Sequence, residues 1–122
     1  MYRLTVVTVG RYCGEIVNIE SKGHSGYAQH GKDIVCAAVS VLMQALLVGI
    51  QEISGKHLEC KLIEKDDFFK LYWSIDIIPE IKLLSETVAL SLKRIADAYP
   101  KNINFSEVQL SDENVQSSDF RP

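Results

Sequence analysis

The feature that most constrains the fold is an uncharged segment at residues 34–50, which is apolar nearly all round when drawn as a helix. One stripe of this helix comprises Val35, Val39, Leu42, Leu46 and Ile50. The rest of its surface is made apolar by Ala38, Val41, Ala45 and Val48. A helix of this kind needs two partners, and one antiparallel sheet covers only one face. We therefore expect a homodimer, in which the small side chains Ala37, Ala38, Ser40 and Ala45 permit close approach.

The same segment is near the lower length limit of a membrane span. Ser40, Gln44 and Gly49 interrupt it, and no aromatic belt flanks it. These interruptions favour a buried or dimer-forming helix, with no membrane partner.

The segments around this helix predict a small sheet. Residues 2–9 and 15–20 are rich in Val, Ile and Thr, and the glycines of residues 10–14 are typical of a hairpin loop between them. Residues 57–64 and 68–75 alternate apolar and polar side chains around the turn Lys65-Asp66-Asp67, which predicts a second hairpin. The alternating apolar positions are Leu58, Cys60 and Leu62, followed by Phe69, Leu71, Trp73 and Ile75.

A second helix is predicted after Pro79, with one apolar stripe that faces the sheet. The stripe consists of Ile81, Leu84, Val88, Leu92, Ile95 and Tyr99, and Pro100 ends the helix. Residues 103–108 are compatible with a final edge strand. The expected fold class is α+β, a two-layer α/β arrangement with a mainly antiparallel sheet in ββαββα order. We expect one domain over residues 1–108 and a flexible, acidic tail over residues 109–122.

Composition narrows the function classes. The chain has 122 residues, a net charge of -3 and no basic run, which argues against direct nucleic-acid binding. Its three cysteines are odd in number and widely spaced, and the first residues lack a secretory signal pattern. We therefore expect reduced thiols and a cytoplasmic location.

The richest chemical pattern is a glycine-punctuated loop that carries His24 and leads into a helix with Cys36 in its first turn. A helix N-terminus and a nearby imidazole can lower a thiol pKa to roughly 3.5–7.5, which makes a cysteine reactive at neutral pH. This pattern favours Cys36 as nucleophile and His24 as its base. The alternatives are a cysteine that merely packs in the helix and a histidine that is solvated in the loop.

Several neighbours of this pair are candidate supporting residues. Asp33 can cap the helix or orient His24, and Ser40 can hydrogen-bond within the site or to its own helix carbonyl. Gly26 and Gly31 flank a polar segment that we expect to move, and Tyr27 offers an apolar contact to a peptide. A zinc site formed by His24, His30 and Cys36 is disfavoured, because the spacing is uncommon and supplies only three ligands. We expect neither a metal nor a cofactor.

The run Gly23-His24-Ser25-Gly26-Tyr27, followed by Gly31-Lys32-Asp33-Ile34-Val35-Cys36-Ala37-Ala38-Val39-Ser40, resembles the signature of the ribosomal-processing cysteine protease family, Prp. The order of elements agrees over residues 1–108. The resemblance implies a catalytic dyad of His24 and Cys36, and it places Gly23, Asp33 and Ser40 on motif positions. Ser25 stands where the family is expected to have alanine.

The resemblance also implies a function. Members are cytoplasmic homodimers that remove an N-terminal extension from the precursor of large-subunit ribosomal protein number twenty-seven. The competing hypothesis is a noncatalytic, ribosome-associated dimeric binding or assembly module in which Cys36 only packs. A thiol redox regulator is a third hypothesis, but the sequence has no CxxC motif or nearby resolving cysteine.

Overall fold

The computed structural model describes residues 4–23 and 34–112 as a five-stranded mixed sheet with two helices. In chain order the elements are β1 (Thr5–Tyr12), β2 (Glu15–Lys22), α1 (Ile34–Val48), β3 (Cys60–Lys65), β4 (Phe68–Trp73), α2 (Ile78–Ala98) and β5 (Ile103–Gln109). A π-helical segment, Gly49–Ile53, continues α1, and a 3-10 turn, Ile75–Ile77, precedes α2. The α+β class expected from the sequence is confirmed.

The strands lie in the order β3-β4-β2-β1-β5. Three neighbouring pairs are antiparallel, and β5 pairs with β1 in parallel, with Thr5 opposite Ile103. The sheet is therefore mainly antiparallel, and the final strand lies on one edge. This strand runs to Gln109, and the N–H of Leu110 donates to the carbonyl of Arg11 at 2.8 Å.

The first hairpin turns more tightly than its glycines predict. Tyr12 pairs with Glu15, so only Cys13 and Gly14 form the turn, and both have positive φ (51° and 84°). These are the dihedral signs of a type I′ turn, whose twist matches that of the flanking strands. Gly10 instead lies within β1, where a Cβ atom would lie 2.5 Å from Nδ2 of Asn18.

The core lies between the sheet and the two helices. Alternating residues of β1 and β4 supply buried side chains, and the indole Nε1 of Trp73 donates to the carbonyl of Ile16 at 3.0 Å. Arg11 ties β1 to both α2 and β5, since its guanidinium donates to Glu86 at 2.9 Å and to Glu107 at 3.0 Å. These hydrogen bonds raise the pKa of Arg11 above its ordinary value.

Helix α2 has the predicted stripe. Ile81, Val88 and Leu92 are buried, and Leu84 and Ile95 pack against the core from partly buried positions. Tyr99 is 43% exposed instead, at the position that follows the last helical residue.

Helix α1 buries only one of its apolar faces. Val35, Val39, Met43 and Leu46 are buried, whereas Ile34, Val41 and Val48 are 58%, 66% and 42% exposed. By length and composition the segment Ile34–Ile53 could cross a membrane, and 28% of its most apolar window is buried. Core helices of water-soluble proteins satisfy the same criteria. In this fold, the face of α1 that carries Val35, Val39, Met43 and Leu46 packs in the core against the sheet.

Candidate active site

Three of the predicted site residues, Gly23, Cys36 and Ser40, line one cavity of about 160 Å3. Gly23 comes from the end of β2, and the other two come from the first turns of α1. The predicted residues His24, Gly26, Tyr27, Gly31 and Asp33 lie outside the described residues.

Gly23 is held in a conformation that few other residues adopt. Its φ is +77°, and a Cβ atom at this position would lie 3.1 Å from the carbonyl oxygen of Leu4. Its N–H donates to the carbonyl of Asp67 at 2.6 Å. A side chain here would be strained by the positive φ and crowded by Leu4, so the site has a physical need for glycine. The residue that follows in the chain is His24.

The start of α1 presents its first turn to the cavity. Cys36 is half-buried, and Ser40 is one turn later on the same side of the helix. The first N–H groups of a helix have no intrahelical acceptor and lie at its positive end. A thiolate or an oxyanion near Cys36 is therefore stabilised by the helix itself.

The far side of the cavity is formed by the turn between β3 and β4, which the sequence analysis treated only as a connection. Glu64, Lys65, Asp66 and Asp67 line the cavity, together with Phe68 and Phe69. The hydrogen bond between Asp67 and Gly23 fastens this turn to the end of β2. No local pattern could have revealed this contact, because it depends on the antiparallel pairing of β2 with β4.

Thr5 also lines the cavity, although no sequence motif includes it. It is 2% exposed, and its hydroxyl has no hydrogen-bond partner in the part of the chain that the structure describes. Its place in an apolar strand gave no signal of a functional role.

The other two cysteines lie outside the cavity and differ in exposure. Cys13 is exposed in the β1–β2 turn, and Cys60 is buried at the start of β3. Burial raises the pKa of the Cys60 thiol to about 11, because a thiolate is poorly solvated in the core. Burial therefore favours the neutral thiol of Cys60, whereas Cys36 borders a polar cavity.

Comparison with known proteins places residues 4–104 within the model of the family described as cysteine protease Prp. The chain is 33% identical over 87 residues to the ribosomal processing cysteine protease Prp of Mycoplasma genitalium, covering 71% of this chain and 84% of that protein. It is 27% identical over 92 residues to the Bacillus subtilis protein of the same name, covering 72% and 82% of the two chains.

Solved structures share the fold. A crystal structure of a Streptococcus mutans protein superimposes with a TM-score of 0.75 at 25% identity, covering 88% of this chain and 96% of that one. The Staphylococcus aureus protease Prp, crystallised with a covalently linked product peptide, superimposes with a TM-score of 0.74 at 23% identity. That match covers 86% of this chain and all of the other.

Proposed function

Because this chain belongs to the cysteine protease Prp family and is a cysteine protease, we propose that it removes the N-terminal extension of ribosomal protein number twenty-seven of the large subunit. The observation that carries the proposal is the position of Cys36 in the first turn of α1, facing the same cavity as Gly23. The relatives named ribosomal processing proteases support the substrate class.

In the proposed reaction, Cys36 is the nucleophile and His24 the general base. His24 takes the thiol proton, and the thiolate attacks the scissile carbonyl to form a tetrahedral oxyanion. N–H groups at the start of α1 stabilise that oxyanion, and His24 returns the proton to the leaving amine. His24 then activates a water molecule, which hydrolyses the thioester and releases the new carboxylate and the thiol. The reaction uses only protein groups and water.

The neighbouring residues have supporting roles in this scheme. Gly23 fixes the chain directly before His24, and its hydrogen bond to Asp67 anchors the end of β2. Asp33 orients His24, and Ser40 hydrogen-bonds within the site. Gly26 and Gly31 allow the intervening loop to admit a peptide and then exclude water, and Tyr27 contacts that peptide.

The proposed active form is a homodimer. The exposed face of α1 carries Ile34, Val41 and Val48 at seven-residue intervals, which places them on one side of the helix. Water-soluble chains seldom leave such a face uncovered, and a second copy of the same helix would bury it. The proposed reaction takes place in the cytoplasm, where ribosomal proteins are made and thiols stay reduced.

Cleavage of a peptide spanning the predicted extension junction tests this function directly. We expect intact-mass analysis to show one cut by the unaltered protein and none by Cys36→Ala, with a loss of at least about 10³-fold. Cys13→Ala is the matched control, because it removes an exposed thiol outside the cavity, and it should cut normally. Equal cutting by the Cys36→Ala variant, or no cutting by the folded unaltered protein, would refute the proposal.

The role of His24 is tested by thiol reactivity. If His24 activates Cys36, iodoacetamide at pH 6 modifies Cys36 rapidly, and His24→Ala slows the reaction. Three cysteines that react equally slowly would instead fit the assembly-module hypothesis.

A further inference from the structure

Thr5 has a buried hydroxyl that the protein leaves without a partner. The residue is 2% exposed, and Oγ1 makes no hydrogen bond within the described part of the chain. Hydroxyls elsewhere in the fold find local acceptors: Thr87 donates to the carbonyl of Leu83 at 2.6 Å, and Ser85 donates to that of Lys82 at 3.2 Å. A buried hydroxyl without a partner destabilises the folded state, so the presence of the unpaired Thr5 hydroxyl needs an explanation.

The strand holds this hydroxyl in place. The N–H of Thr5 donates to the carbonyl of Asn102 at 3.0 Å, and the residue pairs with Ile103 of β5. Side chains alternate along β1, so Thr5 shares the helix-facing side with Val7 and Val9, both fully buried. The pairing of β1 with β5 therefore holds the Thr5 side chain on the helix-facing side of the sheet.

Thr5 lines the cavity that Cys36, Ser40 and Gly23 also line. A peptide whose scissile carbonyl reaches Cys36 brings main-chain N–H and C=O groups into this cavity, where they exchange water for protein partners. A threonine hydroxyl can donate to a carbonyl or accept from an N–H. Thr5 thus offers the unmatched hydrogen-bonding group that an entering main chain requires.

We propose that Thr5 is a substrate-binding residue, whose hydroxyl forms a hydrogen bond with the main chain of the peptide lying beside Cys36. This assignment rests on the proposed function and adds a residue to the same site. The hydroxyl gains a hydrogen-bond partner only when the peptide is bound. It therefore lowers the stability of the unliganded protein and contributes to peptide binding.

The variant Thr5→Val separates these two effects, since it keeps the shape of the side chain and removes the hydroxyl. We expect kcat/KM for the junction peptide to fall by up to about tenfold through a higher KM, while the melting temperature stays level or rises by a few degrees. Thr5→Ser keeps the hydroxyl and should retain kcat/KM within about twofold, with a lower melting temperature.

Thr8→Val is the matched control on the other face of β1, where Thr8 pairs with Glu20 and Ser106, and it should leave kcat/KM unchanged. Unchanged kcat/KM in Thr5→Val would overturn the assignment, because the hydroxyl would then make no hydrogen bond with the substrate. A clearly lower melting temperature in Thr5→Val would also overturn it, by showing a purely structural role.

Binding of the uncut peptide to Cys36→Ala distinguishes failure of this assignment from failure of the proposed function. Adding Thr5→Val to Cys36→Ala should raise Kd by up to about tenfold. If both variants bind the peptide equally, the Thr5 assignment fails and the protease function stands. If neither Cys36→Ala nor the unaltered protein binds or cuts the peptide, the proposed function fails and the Thr5 assignment fails with it.

Discussion

The two helices lie on the same face of the sheet, but their outward-facing surfaces differ in charge. Helix α2 buries one stripe and carries charged residues elsewhere, including Glu80, Lys82, Glu86, Lys93 and Arg94. Helix α1 has no charged residue between Ile34 and Ile50, and Val41 on its outer side is 66% exposed. Charged side chains on an outer surface are well solvated by water, whereas a continuous apolar surface is stabilised when another surface covers it. The uncharged outer face of α1 is the surface on which the homodimer proposal rests, whereas the outer surface of α2 mixes charged side chains with the exposed Leu83 and Leu90.

The largest expected change in the free energy of unfolding comes from the inner faces of the two helices, which both pack on the sheet. Leu46 of α1 and Leu92 of α2 are both fully buried. Leu46→Ala and Leu92→Ala should each lower the free energy of unfolding by about 2–5 kcal/mol, because each leaves a cavity in the core. Denaturant titration measures this loss.

Leu83→Ala is the control for those variants, since Leu83 is 83% exposed on α2 and its truncation should change the free energy of unfolding by under about 0.5 kcal/mol. If Leu46→Ala behaved like the exposed control, the inner face of α1 would not be a core surface.

The second effect concerns the outer faces, where the helices differ. Val41→Glu places a charge on the exposed apolar face of α1 and should weaken self-association by at least about tenfold, since an unpaired charge is costly in a dry interface. Sedimentation equilibrium over a range of protein concentrations measures the dimer dissociation constant.

Leu90→Glu provides the matched change on α2, where Leu90 is 50% exposed among polar neighbours, and it should leave self-association unaltered. A dimer that survives Val41→Glu but not Leu90→Glu would reverse the roles assigned to the two surfaces. A chain that is monomeric before any substitution would remove the homodimer proposal altogether.

The smallest effect tests the contact between the helices. Gly49 follows α1, and a Cβ atom there would lie 2.3 Å from Cδ2 of Leu84 on α2. Gly49→Ala should lower the free energy of unfolding by about 1 kcal/mol, because the clash outweighs the better helix propensity of alanine. In a Leu84→Ala background, the same substitution should stabilise the protein instead. A double-mutant cycle measures this coupling, and additive effects would show that the two side chains do not meet.

The sequence predicted the secondary structure well where the signal was periodic. The stripe of α2 and the alternation of β4 gave buried Ile81, Val88, Leu71 and Trp73. The sequence-based prediction was less accurate at the ends of strands and at the edge of the sheet. Leu58 is 79% exposed because β3 begins only at Cys60, and Leu62 is 38% exposed because β3 is an edge strand. Alternation records which residues are apolar, but burial also needs a covering layer.

In the candidate site as well, the sequence predicted some of the residues and not others. The motif positions Gly23, Cys36 and Ser40 were found from the sequence, and the structure brings these three to one cavity. No sequence pattern singled out the acidic turn between β3 and β4 or Thr5, although these residues line the same cavity. They are distant in sequence from Cys36, so only strand pairing brings them near.

The sequence alone was sufficient to predict the order of elements, the apolar patterns of the two helices and the motif that contains Gly23, His24 and Cys36, because propensity, periodicity and turn chemistry act over a few residues. The tertiary structure was needed to show that β5 pairs in parallel with β1, that Asp67 accepts a hydrogen bond from Gly23 at the end of β2, and that Thr5 lines the candidate cavity. Those contacts join residues far apart in the chain, and their formation depends on the packing of the whole sheet against α1 and α2.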